Sequence, residues 1–443
     1  MPDAHPVVQA FRRAAARVPA YRQILAEAGA SAEAVGCLED FLQLVPTIDK
    51  RGTFARFPLA ELCVDGQIGR PASVLTSSGH SGMFAFGLYD AAGGAEEAER
   101  TDAALDMIFA VKTRPTLLIN CLPMGVKVFS RVCTLGETSV RPDMAVALVQ
   151  QFARHYEQVI LVGEAAFLKC VLERGRAAGI DWRPLLVHAI VGEEMLAENA
   201  RKYLEGLLGI TPGRPETGLI GSSMGVAELG LNMLFELPPL IALRRRLHED
   251  AELRHAILGP SATVAPMAFT YDPTRVFLEF DSADRLLATT LEPSRRLPLI
   301  RYATGDVGEF LPPAAAAALA GPLGLAAKES SRLPIALIHG RGQCVIAGQT
   351  PIYPEQVKEG IYADAELAAT TTANFRLTSG GRAARVRIQL SPGVPATEGL
   401  ARGFAEAIAP YVQAPLEVTC QPYESFGSGM ALDYERKFDY TGP

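Results

Sequence analysis

Several things are scarce in these 443 residues, and each scarcity closes off a class of protein. Cysteine is sparse and scattered: seven residues, at positions 37, 63, 121, 133, 170, 344 and 420, with no CxxC pair. An odd, unpatterned set argues against a disulfide framework or a zinc cluster and fits the reduced thiols of a cytosol. Positive charge is not in excess. The 42 Lys+Arg against 49 Asp+Glu leave a net charge of −7, so the electrostatic footprint of a nucleic-acid binder is missing. Long apolar runs are missing too, since no stretch approaches the roughly 18 uninterrupted apolar residues of a membrane span. The opening Met1-Pro-Asp-Ala-His5 carries neither the basic nor the apolar segment of a secretory signal. The expectation is therefore a cytoplasmic protein with no membrane or nucleic-acid partner. There is a single tryptophan, Trp182, which reads as a turn residue with no specific role.

What is present describes a globular enzyme. Hydrophobic residues make up 49% and charged residues 21%, which excludes disorder. The length predicts two or three domains with an ample core. Apolar residues at helical spacing (Val8, Phe11, Ala15, Val18, Ile24, Leu25) predict one or two opening helices punctuated by Pro19 and Gly29. Short apolar runs follow at 116–120, 158–162, 185–191 and 219–221, separated by helical stretches. This alternation predicts βαβ units and a mostly parallel sheet flanked by helices. After about Leu237, the runs 263–271, 276–280 and 286–291 predict an antiparallel β module. A boundary is expected near His339-Gly-Arg-Gly342. It would separate a large domain, 1–338, from a small α+β piece, 339–443, with strands at 386–390 and 416–420 and a helix over 398–412.

Five segments carry chemistry. Thr76-Ser-Ser-Gly-His-Ser-Gly82 follows an apolar pair, and its glycines, hydroxyls and N–H groups suit a phosphate. It lacks the G-K-[ST] ending of a Walker loop, and such a run taken alone is more often a plain surface loop. Arg301-Tyr-Ala-Thr-Gly-Asp306 places an acidic residue after a Gly turn, where it can accept from ribose hydroxyls or serve as a simple turn cap. Gly221-Ser-Ser-Met-Gly-Val-Ala-Glu228 ends a predicted buried strand in a carboxylate that could hold Mg²⁺ on a polyphosphate. Ile338-His-Gly-Arg-Gly342 sets a cation in a turn, and Tyr434-Glu-Arg-Lys-Phe-Asp439 puts a lysine in the tail.

Taken in order, these segments resemble the adenylate-forming superfamily of acyl-CoA synthetases, luciferase and adenylation domains, and within it the phenylacetate–CoA ligase branch. Val18-Pro-Ala-Tyr21, Leu38-Glu-Asp-Phe41, Leu44-Val-Pro46, Asp49-Lys50 and Phe57-Pro58 resemble that branch's N-terminal signature. Ile190-Val-Gly-Glu-Glu194 resembles its adenine-side turn, and Leu297-Pro-Leu-Ile-Arg-Tyr302 the approach to its ribose-binding Asp.

The resemblance implies an ATP- and Mg²⁺-dependent ligase that makes an acyl- or aryl-adenylate and passes it to a thiol, either CoA or a carrier protein's phosphopantetheine. It implies a large N-terminal domain and a small mobile C-terminal lid, and a homodimer. Thr76, Ser77, Ser78, Gly79, Ser81 and Gly82 would hold phosphates. Gly192, Glu193, Ser222, Ser223, Met224 and Gly225 would line the nucleotide, and Glu228 would hold Mg²⁺. Asp306 and Arg341 would serve the ribose and hinge, and Lys437 would swing in on the lid to stabilise charge on the α-phosphate. His80, in the loop, is a further candidate for catalysis. Asn120-Cys-Leu-Pro-Met-Gly125 and Val128-Phe129 would line an apolar pocket for an aromatic or hydrophobic acid.

The chain departs from the pattern at Met83, where the loop's Lys is missing, and at Ala227, where the Thr before the Glu is missing. It departs again at Gln343 after the hinge and at Glu435-Arg436 before the lysine. The alternatives are an adenylating enzyme with an amine or other acceptor, and a nucleotide-binding homologue without catalysis.

Overall fold

The computed structural model describes residues 5–77, 83–123, 126–312, 315–316, 334–428, 430 and 433–441. The chain divides into two compact units. One comprises residues 1–100, 224–235 and 269–341, and the other comprises 101–223, 236–268 and 342–443. The first 338 residues, expected as one domain, are thus shared between both units. The final crossing falls at Arg341–Gly342, three residues beyond the expected boundary.

Unit 1 opens with helices Pro6–Arg17 and Pro19–Glu27, split where Pro19 takes the first helical position of the second. Phe11 from the first packs edge-on to Phe41, and Phe41 in turn to Phe277. Strands β10 (Val276–Phe280), β11 (Arg285–Thr290), β12 (Tyr302–Phe310) and β13 (Ile335–Gly340) pair antiparallel in that order. This is the expected β module, lengthened by β12 and β13. A short antiparallel pair, β1 (Ser73–Thr76) with β2 (Phe86–Tyr89), flanks residues 77–85. The segment before Lys50 is pinned beside β12, because Ile48 N–H donates to Arg301 O (3.1 Å) and Ile48 O accepts from Ala303 N–H (2.8 Å).

Unit 2 is built on parallel strands β3 (Thr116–Asn120), β4 (Thr134–Glu137), β5 (Gln158–Gly163), β6 (Val187–Val191) and β7 (Ile220–Val226), in the order β4-β3-β5-β6-β7. Every residue of β3 and β5 is buried, as expected of strands covered on both faces. Helices Pro142–Phe152, Ala165–Ala177 and Glu198–Leu208 contribute to a core with Leu117, Leu161 and Val191. Trp182 is part of this core. It is 2% exposed, and its indole N–H donates to Leu172 O.

The C-terminal segment of unit 2 has the predicted α+β content. Strands β16 (Thr371–Ser379), β17 (Ala384–Leu390) and β18 (Leu416–Gln421) form a mixed sheet, with helices Pro354–Ile361 and Glu398–Ile408. Phe375, Ile388, Phe404 and Phe438 lie in the same apolar cluster as Leu117, Phe167 and Leu204. Buried polar contacts reinforce that join. The Glu359 carboxylate accepts from the backbone N–H groups of Glu198 (2.8 Å) and Asn199 (2.9 Å). It thereby caps helix Glu198–Leu208, whose own N-cap residue, Ala197, offers no side-chain acceptor. Lys169 donates to Thr371 O (2.7 Å), and Lys358 ion-pairs with Glu194 at 2.5 Å.

Candidate functional site

In unit 1 the candidate residues gather around β12 and the turn after β7. The turn is closed by Leu229 N–H to Val226 O (2.8 Å), and it carries Glu228. The Glu228 side chain is fully buried. Its Oε1 accepts from the Tyr302 hydroxyl at 2.5 Å and lies 3.8 Å from Lys50 Nζ, while Arg295 Nη2 donates to its backbone carbonyl (2.6 Å). Its Oε2 is buried and has no hydrogen-bond partner. A buried carboxylate oxygen without a donor is costly unless something fills the vacancy. Mg²⁺ is commonly held by one or two carboxylates plus substrate phosphates and water, so a single open oxygen of this kind fits it. Among the described residues no cluster of three acidic, His or Cys side chains forms a protein-only cage. The Tyr302 phenol is pushed well above its ordinary range by burial, then by the charge of Glu228 and their hydrogen bond, so it stays a donor.

The close approach of the β1–β2 pair to this turn depends on one glycine. A Cβ on Gly87 would sit 2.1 Å from Ala227 O. Beyond the pair, Ser77 N–H donates to Ala85 O, and Ser77 Oγ accepts from Ala85 N–H, both at 2.9 Å. Ser77 was expected to hold phosphate; here its hydroxyl oxygen is engaged in closing the loop, next to Thr76 at the end of β1. Ser78, Gly79, His80, Ser81 and Gly82 lie outside the described residues.

Farther along β12, Asp306 is buried (7% exposed), and its N–H donates to Thr304 Oγ1. Arg341 Nε lies 3.8 Å from Asp306 Oδ1. A bulge in the β12–β13 ladder at Val307/Gly308 and the positive φ of Gly305 (89°) shape this corner. The structure thus pairs two residues that the sequence placed 35 positions apart.

In unit 2, Gly192 follows the carboxyl end of β6, and Ser222, the third residue of β7, lies in register with Val191. Crevices at such strand ends are where open α/β sheets bind ligands. Glu193 holds a positive φ of 72°, a conformation rare for a non-glycine residue. Ser223 O lies 3.7 Å from where a Gly192 Cβ would be. Ser222, expected as a nucleotide contact, spends its hydroxyl on Val191 O (3.0 Å), and its N–H donates to Glu236 (2.8 Å). Glu236 belongs to a wholly buried quartet with Arg201, Arg244 and Glu198, at separations of 2.9–3.3 Å. Met224 and Gly225 continue β7 within unit 1.

Lys437 begins a short extended tail in unit 2. Its neighbour Phe438 is buried among Phe426 and Tyr440, and Tyr440 O accepts from Leu377 N–H on β16 (2.7 Å). Glu228, Asp306 and Arg341 belong to the other unit.

Sequence reasoning missed Lys50, Tyr302 and Arg295 as partners of Glu228. Lys50 and Tyr302 sat inside quoted motifs, but the bridge at Ile48 that aligns them joins segments some 250 residues apart and leaves no local signal.

With this geometry in view, the chain can be set beside known proteins. No family model matches the sequence, and no curated protein is similar to it. Solved structures are similar in fold. A 2-hydroxyisobutyryl-CoA ligase in its postadenylation state, in complex with R3-HIB-AMP, superposes over 98% of this chain and 87% of its own, with a TM-score of 0.70 at 14% identity. The same ligase with 2-HIB-AMP and CoA in the thioesterification state gives 0.54 over 95% and 86%, at 15% identity. The anthranilate CoA ligase AuaEII with anthranoyl-AMP gives 0.51 over 83% and 65%, at 11% identity. The chain has the adenylate-forming ligase fold. That fold agrees with the α/β reading from alternating apolar runs and helical stretches, and with the resemblance carried by motif order. Among the described residues no helix is long and apolar enough to cross a membrane.

Proposed function

We propose that this protein activates a carboxylic acid as its adenylate at the expense of ATP and transfers the acyl group to a thiol. The observation that carries the reading is Glu228. It is a buried carboxylate with one oxygen fixed by Tyr302 and the other unpaired, on the fold of ligases solved with acyl-adenylates. In the first half-reaction a carboxylate oxygen of the acid attacks the α-phosphorus, and the bond to pyrophosphate breaks. In the second, the thiol sulfur attacks the acyl carbon, its proton is lost, and AMP leaves with the electron pair of the broken C–O bond.

The chain's own contribution is positioning and charge neutralisation. Glu228 would hold Mg²⁺, which supplies charge neutralisation on the phosphates. Lys50, 3.8 Å from Glu228, would add a cation near the phosphates. Asp306, steadied by Arg341, would accept from the ribose hydroxyls. Thr76 and the 77–82 loop would face the phosphates, and Gly192, Glu193, Ser223, Met224 and Gly225 would border the nucleotide. Lys437 would meet charge developing on the α-phosphate. The apolar run along Val128 and Leu122, packed with Phe109 and Ile160, favours a hydrophobic or aromatic acid.

Exchange of labelled pyrophosphate into ATP, across a panel of aryl and aliphatic acids, tests the proposal. Acid-dependent exchange is expected; none with any acid would leave a nucleotide-binding protein without catalysis. Following exchange-positive acids with CoA, with a phosphopantetheinylated carrier and with amines then identifies the acceptor. Thioester formation is the expected result.

A further inference from the structure

A polar patch interrupts the apolar core of unit 2. His188 is the second residue of β6 and stands in register with Ile160 of β5. Gln158 of β5 and Thr116 of β3 are in register with each other. They share this sheet face, two residues back from Ile160 and Leu118. Helix Ala91–Phe109 ends over them. The Phe109 ring lies 4.8 Å from the His188 ring, and Phe109 and Leu105 pack with Leu118, Ile160 and Val162.

Gln158 is 1% exposed and His188 4%. The Gln158 amide nitrogen spends both hydrogens, on Phe109 O (2.9 Å) and on Thr116 Oγ1 (2.8 Å). The Thr116 hydroxyl in turn donates to Arg114 O (2.7 Å). That chain of donors fixes which way the amide faces, and it leaves Gln158 Oε1 without a partner. Neither ring nitrogen of His188 has a hydrogen-bond partner. Burial, with the charge of Arg114 adding to it, pushes the imidazole down to about 4. At neutral pH the ring is therefore uncharged, with one nitrogen donating and the other accepting. Three buried polar atoms without partners in one patch are costly and call for an occupant.

The patch is not sealed. β6 lies between β5 and β7, yet Ile190, the next residue after His188 on the same face, is only half-buried, and so are Leu122 and Val128 of the surrounding apolar wall. We propose that His188 and Gln158 form the inner end of the acid-binding pocket and bind a hydroxyl group that the acid carries at the end remote from its carboxylate. The proposal rests on the ligase reading above and deepens it. A hydroxyl both donates and accepts, which suits the Oε1 acceptor and a neutral imidazole, whereas burying a charged terminus there would cost far more. From His188 to Gly192, β6 rises about 13 Å, so the hydroxyl belongs far from the carboxylate and not on the carbon beside it. Apolar walls with a few convergent polar groups are the ordinary make-up of a specific pocket.

The test uses pairs of acids that differ only in a terminal hydroxyl: 4-hydroxycinnamic with cinnamic acid, and 10-hydroxydecanoic with decanoic acid. In pyrophosphate exchange, kcat/KM of the wild-type chain is expected to favour the hydroxylated member of at least one pair by about 10-fold or more, the size of leaving a buried polar partner unsatisfied. His188→Leu should abolish or reverse that preference while exchange with the unhydroxylated member stays near wild type. A histidine with a structural role only would lower both members alike. No preference in the wild type, an unchanged preference in His188→Leu, or an equal loss for both members overturns the proposal.

Calorimetric titration of the wild-type chain with each acid needs neither the variant nor the ligase reaction. It decides the matter if His188→Leu does not fold or if no acid supports exchange. Tighter binding of the hydroxylated member, by about 10-fold, upholds the proposal; equal or undetectable binding of both members overturns it. Exchange at equal rates within every pair would leave the ligase reading standing and remove this one, so the two failures are told apart.

Discussion

Glu228 shows how much one side chain can depend on residues far from it in sequence. Its carboxylate is useful to a cation only if it is held in place and open on one side. Tyr302 fixes Oε1, 3.8 Å from Lys50 Nζ, and Oε2 has no hydrogen-bond partner. Glu228→Gln is expected to lower pyrophosphate exchange by about 10²-fold or more, the general size for removing a preorganised charge contact. Tyr302→Phe should act through Glu228. It is expected to shift the Mg²⁺ concentration for half-maximal exchange upward more than it lowers the rate at saturating Mg²⁺. An equal loss at all Mg²⁺ levels would make Tyr302 a packing residue only. Lys437→Ala should cut exchange by about 10²-fold as well, and Asp306→Ala should raise the KM for ATP. Unchanged exchange or unchanged KM would remove those two assignments.

Secondary-structure elements were legible where burial is simple. β3 and β10 begin and end where the apolar runs do, and β17, β18 and the helix from Glu398 fall where periodicity put them. β16 was not read from the sequence, although Ala373, Phe375 and Leu377 alternate there with Asn374, Arg376 and Thr378. The threonines at both ends blur that run, and burial of Asn374 and Arg376 as well as the apolar residues comes only from the packed structure. β12 was read as a turn because Gly305 interrupts it, whereas the strand absorbs that glycine in a bulged ladder. The site divides in the same way. Glu228, Asp306 and Arg341 were visible as residue types in order, but Ser222's commitment to a neighbouring strand's carbonyl was not. Trp182 was passed over because its partners, Leu172 and Gly175, mark nothing until the helix packs. At this scale Gly87 is testable. Gly87→Ala would drive a Cβ into Ala227 O, and overpacking of that kind costs about 1–3 kcal/mol. Chemical denaturation should show the loss, with exchange activity falling alongside because the Glu228 turn moves.

Across unit 2, buried carboxylates link the C-terminal segment to the parallel sheet, and they make its stability depend on pH. Burial, then the charge of Glu194 and their hydrogen bond, hold Glu164 well above its ordinary 4.5, whereas Glu194, with Lys358 as its largest favourable partner, is lowered. A carboxyl raised on folding stabilises fully below its unfolded value and loses that contribution as pH rises through its native value. Wild-type protein is therefore expected to lose thermal stability between about pH 5 and alkaline pH more steeply than Glu164→Gln, which mimics the protonated form. Parallel melting curves for the two proteins would refute the assignment. Glu359→Ala, which uncaps helix Glu198–Leu208 from a distance, should cost about 2 kcal/mol or more, read by denaturant midpoint.

The same clasp sets an order of events during synthesis. The parallel strands of unit 2 and the helices that cover them are complete once Val226 has been made, yet the cap of helix Glu198–Leu208 and the rest of their apolar cluster arrive with Glu359, Phe404 and Phe438. At about 5–20 residues per second, that cluster stays incomplete on a nascent chain for on the order of ten seconds or more.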